Sequence, residues 1–159
     1  MSTKHSGHVF LGVDPGAKGA GVTVGSANRI YQFSKMTDTE VATEFRCLAV
    51  DCAELGIALT AILEKLWLRP TDGKSSGGKL VTHYGMLKGI LLTVPIRTIE
   101  VAPVTWTRKL GRTDPKGTSK PVKKRLNQQL AQMLYPDRKV ILETADAFLL
   151  AEYGRRFHQ

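Results

Sequence analysis

The sequence predicts an α/β fold, and three observations carry that prediction. Three short runs rich in β-branched and aromatic residues follow one another within the first 33 positions, separated by glycine-rich or polar turns. Beyond Thr37, segments with apolar residues at helical spacing alternate with two further strand-like runs. Two of the runs, residues 9–13 and 57–63, are nearly continuously apolar, and each closes on a carboxylate, Asp14 and Glu64. Strands buried on both faces read this way, and the acid then emerges at the strand end.

The stretch Val9-Phe10-Leu11-Gly12-Val13-Asp14-Pro15-Gly16-Ala17-Lys18-Gly19-Ala20-Gly21-Val22-Thr23-Val24 parses as strand, acid, tight turn, strand. A phosphate-binding P-loop requires Lys followed by Ser or Thr after the last glycine, and a dinucleotide fingerprint requires a helix there. Val22-Thr23-Val24 is a strand instead, turned by Gly25-Ser26-Ala27-Asn28. Sugar kinases and actin-like ATPases open similarly, but they need two such lobes and well over twice the 159 residues of this chain. The bland alternative is that Asp14-Pro15-Gly16 is a turn and nothing more, since all three residues favour turns.

Arg29-Ile30-Tyr31-Gln32-Phe33 alternates polar and apolar and predicts a third, antiparallel strand, completing a meander. Thr37-Asp38-Thr39-Glu40 has the form of a capping box; the helix it opens carries Val41, Phe45, Leu48, Ala49 and Cys52 at helical spacing and should end near Gly56. The fourth strand, residues 57–64, follows. Residues 69–79 are polar and rich in Gly and Ser, which predicts a mobile loop close to the Glu64 strand end. A helix over 80–93 has Gly85 and Gly89 four apart, a smooth side that another element could approach closely. Residues 97–101 make a fifth strand ended by Pro103, 104–110 a short helix, and 119–134 a longer helix stopped by Pro136. Val140-Ile141-Leu142 leads to a last helix over 143–151, whose Glu143 and Asp146 share one face of its first turn. Acids favour helix N-termini, which accounts for either residue but not for both on one face of so apolar a helix.

The length suits one domain over residues 1–159, with residues 1–7 a disordered tail and His5 and His8 without a role. Lys and Arg number 23 against 14 Asp and Glu, a net charge of +9 that points to a polyanionic partner. Without a long apolar span or a basic amphipathic anchor, nucleic acid is favoured over membrane. The excess concentrates in Arg108, Lys109, Arg112, Lys116, Lys120, Lys123, Lys124 and Arg125, with Asp114 the single acid among them. Such a run repels itself unless phosphates neutralise it; the alternative is a solvated charged face. Cys47 and Cys52 both fall in a predicted helix, which argues against a disulfide framework or a Cys-rich zinc site and fits a reduced cytosolic setting. His83 and Trp106 read as packing residues.

Four carboxylates are therefore candidates to face a metal: Asp14, Glu64, Glu143 and Asp146. Crowded carboxylates need compensating charge, and Mg²⁺ prefers oxygen ligands and phosphate oxygens. Two ions about 3.5–4 Å apart could activate a water and stabilise the leaving oxygen of a phosphodiester. A basic protein with such a site would be a nuclease.

The segments Leu11-Gly12-Val13-Asp14-Pro15-Gly16, Ile62-Leu63-Glu64 and Glu143-Thr144-Ala145-Asp146-Ala147, with Leu149-Leu150-Ala151 after them, resemble in order and spacing the RuvC-type Holliday junction resolvases of the ribonuclease H-like superfamily. The resemblance runs over nearly the whole chain. It implies a mixed five-stranded sheet flanked by helices, made of the three-stranded antiparallel meander plus two parallel strands. It further implies a symmetric homodimer that resolves four-way DNA junctions by paired nicks, with two Mg²⁺ ions per site and Mn²⁺ as a substitute. The family's four acids carry over to Asp14, Glu64, Glu143 and Asp146; many relatives have Asp at the third place, and Glu143 is one methylene longer. On this pattern Asp14 bridges both metals, Glu64 and Asp146 complete the ligand sets, Glu143 holds the water-activating ion, and loss of any acid abolishes cleavage while sparing binding. Lys120 corresponds best to the lysines that touch the phosphate near the scissile bond, with Lys116 and Lys123 as neighbours. Trp67 stands where the family wedges an aromatic into the junction, although a core tryptophan is the alternative. Lys74, Lys79, Arg108, Lys109, Arg112 and Lys124 complete the expected DNA contacts. The setting implied is the cytoplasm of a bacterial or phage-infected cell, or an organelle matrix. A broader flap or fork nuclease and a non-cleaving junction-binding protein are the competing readings.

Overall fold

In the computed structural model, which describes residues 7–16, 18–67 and 74–159 (74–76 by their backbone), five strands form one mixed sheet in the order β3-β2-β1-β4-β5. Strands β1 (His8–Val13), β2 (Ala20–Gly25) and β3 (Ile30–Gln32) make the antiparallel meander. Strand β4 (Ala58–Glu64) runs parallel to β1, and β5 (Arg97–Val101) parallel to β4. Both parallel links need crossovers, supplied by α1 (Asp38–Glu54) and α2 (Lys74–Thr93). Three helices follow: α3 (Pro103–Lys109), α4 (Lys120–Leu134) and α5 (Ala145–Phe157).

The alternation of side chains along β1 and β4 separates two apolar cores. Val9, Leu11, Val13, Ala61 and Leu63 pack with Val41, Phe45 and Leu48 of α1 and Leu87 and Leu91 of α2. Phe10, Val22 and Ile62 face the other way, onto Trp106 of α3, Ala131 of α4 and Phe148, Leu149 and Ala151 of α5. Burying each large side chain contributes roughly 1.5–3 kcal/mol, so both faces of the sheet are covered. Gly12 decides how closely α5 lies on β1: a Cβ there would meet the Ala147 carbonyl oxygen at 2.0 Å and the Ala151 nitrogen at 2.5 Å. Any side chain at that position would lift the start of α5 off the sheet.

Several local expectations are corrected. His8 opens β1 rather than belonging to a tail: its Nε2 lies 2.9 Å from Thr60 Oγ1 and its ring stacks on Phe10. Residues 1–6 lie outside the described ones. Of the loop expected over 69–79, residues 68–73 are likewise outside, and from Lys74 onward the backbone is already helical. Gly and Ser weaken a helix by up to about 1 kcal/mol each without forbidding it, and the buried Leu87 and Leu91 anchor α2 downstream. Among the described residues, nothing lies within 4 Å of an added Cβ at Gly85 or Gly89, so the smooth side meets no neighbour there. The third strand stops at Gln32, and Phe33 begins a single 3₁₀ turn that buries its ring. The capping box of α1 forms as read, with Glu40 N–H donating to Thr37 Oγ1 at 3.2 Å and Thr37 N–H to Glu40 Oε2 at 2.7 Å.

The last helix begins at Ala145, not at Glu143. Thr144 closes a tight turn before it, its hydroxyl accepting from Ile141 N–H at 3.1 Å while Thr144 and Ala145 N–H both donate to the Ile141 carbonyl. Glu143 therefore sits in this turn, and Asp146 alone occupies the first helical turn.

Candidate active site

Strand register brings the first two acids together. Val13 pairs with Leu63, so Asp14 and Glu64 stand side by side at the C-terminal ends of neighbouring parallel strands. By the alternation along each strand they continue the Phe10, Gly12 and Ile62 face, against which α5 packs. The close approach at Gly12 sets the first turn of α5, and with it Asp146, at the same edge.

The turn after Asp14 is closed by its own backbone: Asp14 N–H donates to the Ala20 carbonyl at 3.0 Å and Gly19 N–H to the Gly16 carbonyl at 2.8 Å. Gly19 has no room for a Cβ, which would fall 2.1 Å from the Asp14 carbonyl oxygen. Gly16 N–H donates to Asp14 Oδ1 at 3.1 Å. From α2, His83 Nδ1 lies 2.8 Å from the Pro15 carbonyl oxygen, while its ring packs edge-on against Phe33. His83 is thus a packing residue that also tethers the turn.

Charge ties the three acids into one group. Burial pushes the Glu64 carboxyl up to about 8, with the charges of Asp14 and Asp146 adding to it and Trp106 and Lys124 opposing. Burial and the Asp14 charge push Asp146 up to about 6, against the hydrogen bond from Asn127 and the nearby Lys124 and Arg112. Asp14 is raised chiefly by burial, offset by Gly16 N–H, Lys124 and Lys120. Carboxylates so placed lack compensating charge in the protein itself. The donors they offer are all oxygens, which suits a hard divalent cation. Among the described residues no three His, Cys, Asp or Glu side chains form a ready cage. Glu143, in the turn before α5, is half-buried, with its Oε2 accepting from Ser34 Oγ at 3.4 Å.

The chain matches the structure of T. thermophilus RuvC in complex with a Holliday junction substrate, with a TM-score of 0.56 at 10% identity over 94% of this chain and 96% of that one. This chain has the RuvC fold. A second RuvC structure from Thermus thermophilus matches with a TM-score of 0.51 at 12% identity, over 93% of this chain and 95% of that one. No protein-family model and no curated protein matches the sequence.

On this RuvC-like frame the expected basic residues fall into different positions. Lys120 begins α4, exposed, and Lys124 lies one turn on, half-buried; these are the lysines whose charge reaches Asp14. Lys79, Arg108, Lys109 and Lys116 are exposed and Lys123 half-buried. Lys109 Nζ lies over the Phe157 ring at 5.3 Å. Arg112 is spent on the fold: it binds both oxygens of Asp114 at 2.6 Å and the Lys123 carbonyl at 2.9 Å, so it braces the segment before α4. The Lys74 side chain lies outside the described atoms. Trp67 is 73% exposed just beyond β4, which removes the core-tryptophan alternative.

Two neighbours of the acids were not foreseen as such. Trp106, read as packing, is buried and also donates from Nε1 to Glu64 Oε2 at 2.8 Å. Asn127 of α4 donates from Nδ2 to Asp146 Oδ1 at 2.6 Å. The signals were available: a buried indole N–H needs an acceptor, and Asn127 sits four before Ala131 on the buried stripe of α4.

Among the described residues no helix is long and apolar enough to cross a membrane.

Proposed function

We propose that this protein is a metal-dependent, structure-selective endodeoxyribonuclease that resolves four-way DNA junctions by paired, symmetric nicks. The observation that carries the reading is the convergence of Asp14, Glu64 and Asp146, from three elements, at one edge of the sheet, where burial and mutual repulsion push their carboxyls up beside Lys120 and Lys124. The net charge of +9 and the RuvC fold support it. The neighbour bound to a Holliday junction substrate suggests the same class of DNA here.

Asp14, Glu64 and Asp146 would hold Mg²⁺ or Mn²⁺, and Glu143 would extend the set from the turn before α5. Two such ions supply water activation and stabilisation of the leaving oxygen in phosphodiester hydrolysis. Lys120 and Lys124 would hold the scissile phosphate and offset charge developing on it. The exposed Trp67 would stack on an unpaired base at the branch point, and Lys74, Lys79, Arg108, Lys109, Lys116 and Lys123 would fix the arms through phosphate contacts. A symmetric homodimer would present two such sites to two equivalent strands.

The test is a panel of labelled substrates, comprising an immobile four-way junction, a duplex, a flap and a fork, incubated with Mg²⁺. Paired symmetric nicks confined to the junction are expected. Equal cutting of flaps and forks would reassign the protein to a broader branched-DNA nuclease, and binding without any cut would make it a junction-binding protein.

A further inference from the structure

Each of the three coupled acids has one oxygen tied to an N–H donor. Gly16 N–H serves Asp14 Oδ1, Trp106 Nε1 serves Glu64 Oε2, and Asn127 Nδ2 serves Asp146 Oδ1, at 3.1, 2.8 and 2.6 Å. The donors come from three separate elements: the turn after β1, α3 and α4. On the other oxygen of each acid, no hydrogen bond is present among the described residues.

Neither side-chain donor can swing away. Trp106 is 2% exposed inside the core formed with α5, and Asn127 is 6% exposed on the buried side of α4. Asn127 carries a further mark. Its Oδ1 is buried without a hydrogen-bond partner among the described residues. A buried acceptor without a partner is destabilising, so Leu, of similar volume, would serve packing better. Asn at this position is explained by what its amide N–H₂ does for Asp146.

We propose that Trp106 and Asn127 are positioning residues, each clamping one carboxylate oxygen of Glu64 or Asp146 so that the other oxygen is directed toward a shared divalent cation. The inference rests on the reading of these acids as cation ligands. Fixed carboxylates lose less freedom when an ion arrives, and outer partners of this kind typically change metal affinity by about 10–100-fold.

Asn127→Leu and Asn127→Ser, the latter keeping a shorter donor, test one clamp, and Trp106→Phe tests the other. Mn²⁺ affinity is measured on DNA-free protein by electron paramagnetic resonance, alongside Tm and the kcat and KM for junction cleavage. Phe45→Leu, on the opposite face of the sheet, controls for lost packing. The clamp predicts Mn²⁺ affinity about tenfold weaker in Asn127→Leu and Trp106→Phe, less weakened in Asn127→Ser, and unchanged in Phe45→Leu, with kcat falling at constant KM. Unchanged Mn²⁺ affinity in folded Asn127 variants and in Trp106→Phe would overturn it. If the variants lose Mn²⁺ affinity while wild type cuts no DNA, the clamp stands and the nuclease reading falls. If wild type cuts and every variant binds Mn²⁺ normally, the reverse holds.

Discussion

Helix α5 carries two acids whose carboxyls burial pushes up and whose neighbours then take them opposite ways. Glu152, 2% exposed, would be raised by burial, but Arg155, Tyr135 and Arg156 hold it down at about 2. Tyr135 Oη and Arg155 Nε donate to its Oε2 at 2.5 and 2.8 Å, Arg155 Nη2 and Arg156 Nε to its Oε1 at 2.7 and 2.5 Å. Asp146, six residues earlier, sits in the first helical turn, where the helix dipole favours an anion. It is pushed up to about 6 all the same, by burial and the charge of Asp14. One acid is saturated by the protein and locks α5 to the end of α4; the other is left with unmet charge. Burial alone marks neither as functional. The missing partner is what separates Asp146 from Glu152 and supports the proposed cation-holding role.

The sharpest way to break this contrast is to neutralise both kinds of acid. Asp146→Asn and Glu64→Gln should each cut junction cleavage by about a thousandfold while junction binding in EDTA, carried by phosphate contacts, persists. Glu152→Gln should do the opposite. It leaves Arg155 and Arg156 facing a neutral amide, so stability should fall by about 3 kcal/mol, read from denaturant unfolding, with cleavage per folded molecule retained. A thousandfold loss of activity in folded Glu152→Gln would erase the distinction.

The two classes should also diverge with pH. A depressed carboxyl stabilises the fold above its ordinary value of 4.5, and that contribution is lost as pH falls toward about 2, so Glu152 is a source of acid sensitivity. A raised carboxyl works the other way: its folded state is favoured below about 4.5 and loses ground as pH rises through about 8. In EDTA, Glu64→Gln should therefore gain Tm relative to wild type between pH 5 and pH 9, measured by scanning calorimetry, and Mg²⁺ should narrow the gap.

The smallest effect sharpens the boundary of the site. Glu143 sits in the turn before α5, hydrogen-bonded toward Ser34, so Glu143→Gln should cost about tenfold in cleavage where Asp146→Asn costs far more. Equal losses would draw Glu143 into the same group.

The meander, both parallel strands and the two acids at their ends could be read from the chain because period-two apolar runs and turn residues are local signals. Asp14 beside Glu64 followed from two runs of the same kind ending in acids, and the Val13 to Leu63 register realises it. Asp146 was legible as an acid at an apolar helix start. The helix boundary was not, because the Thr144 turn that separates Glu143 from Asp146 depends on a hydroxyl folding back on Ile141. Trp106 and Asn127 escaped for a related reason: a buried indole and a buried amide call for partners, but nothing near them in sequence says that α3 reaches Glu64 or that α4 reaches Asp146. Arg112 read as a DNA contact because charge counts cannot see that Asp114, two residues away, has claimed it.

The central claim is that the unmet charge at the strand ends is a cation-dependent centre for cutting branched DNA. Its most direct test is nucleotide-resolution mapping of cuts in a labelled four-way junction, for wild type and Asp14→Asn, with Mg²⁺ and with EDTA. Symmetric paired cuts are predicted for wild type with Mg²⁺ alone, and none in the other three conditions. Cutting that persists in EDTA, or in Asp14→Asn at the wild-type rate, would contradict it.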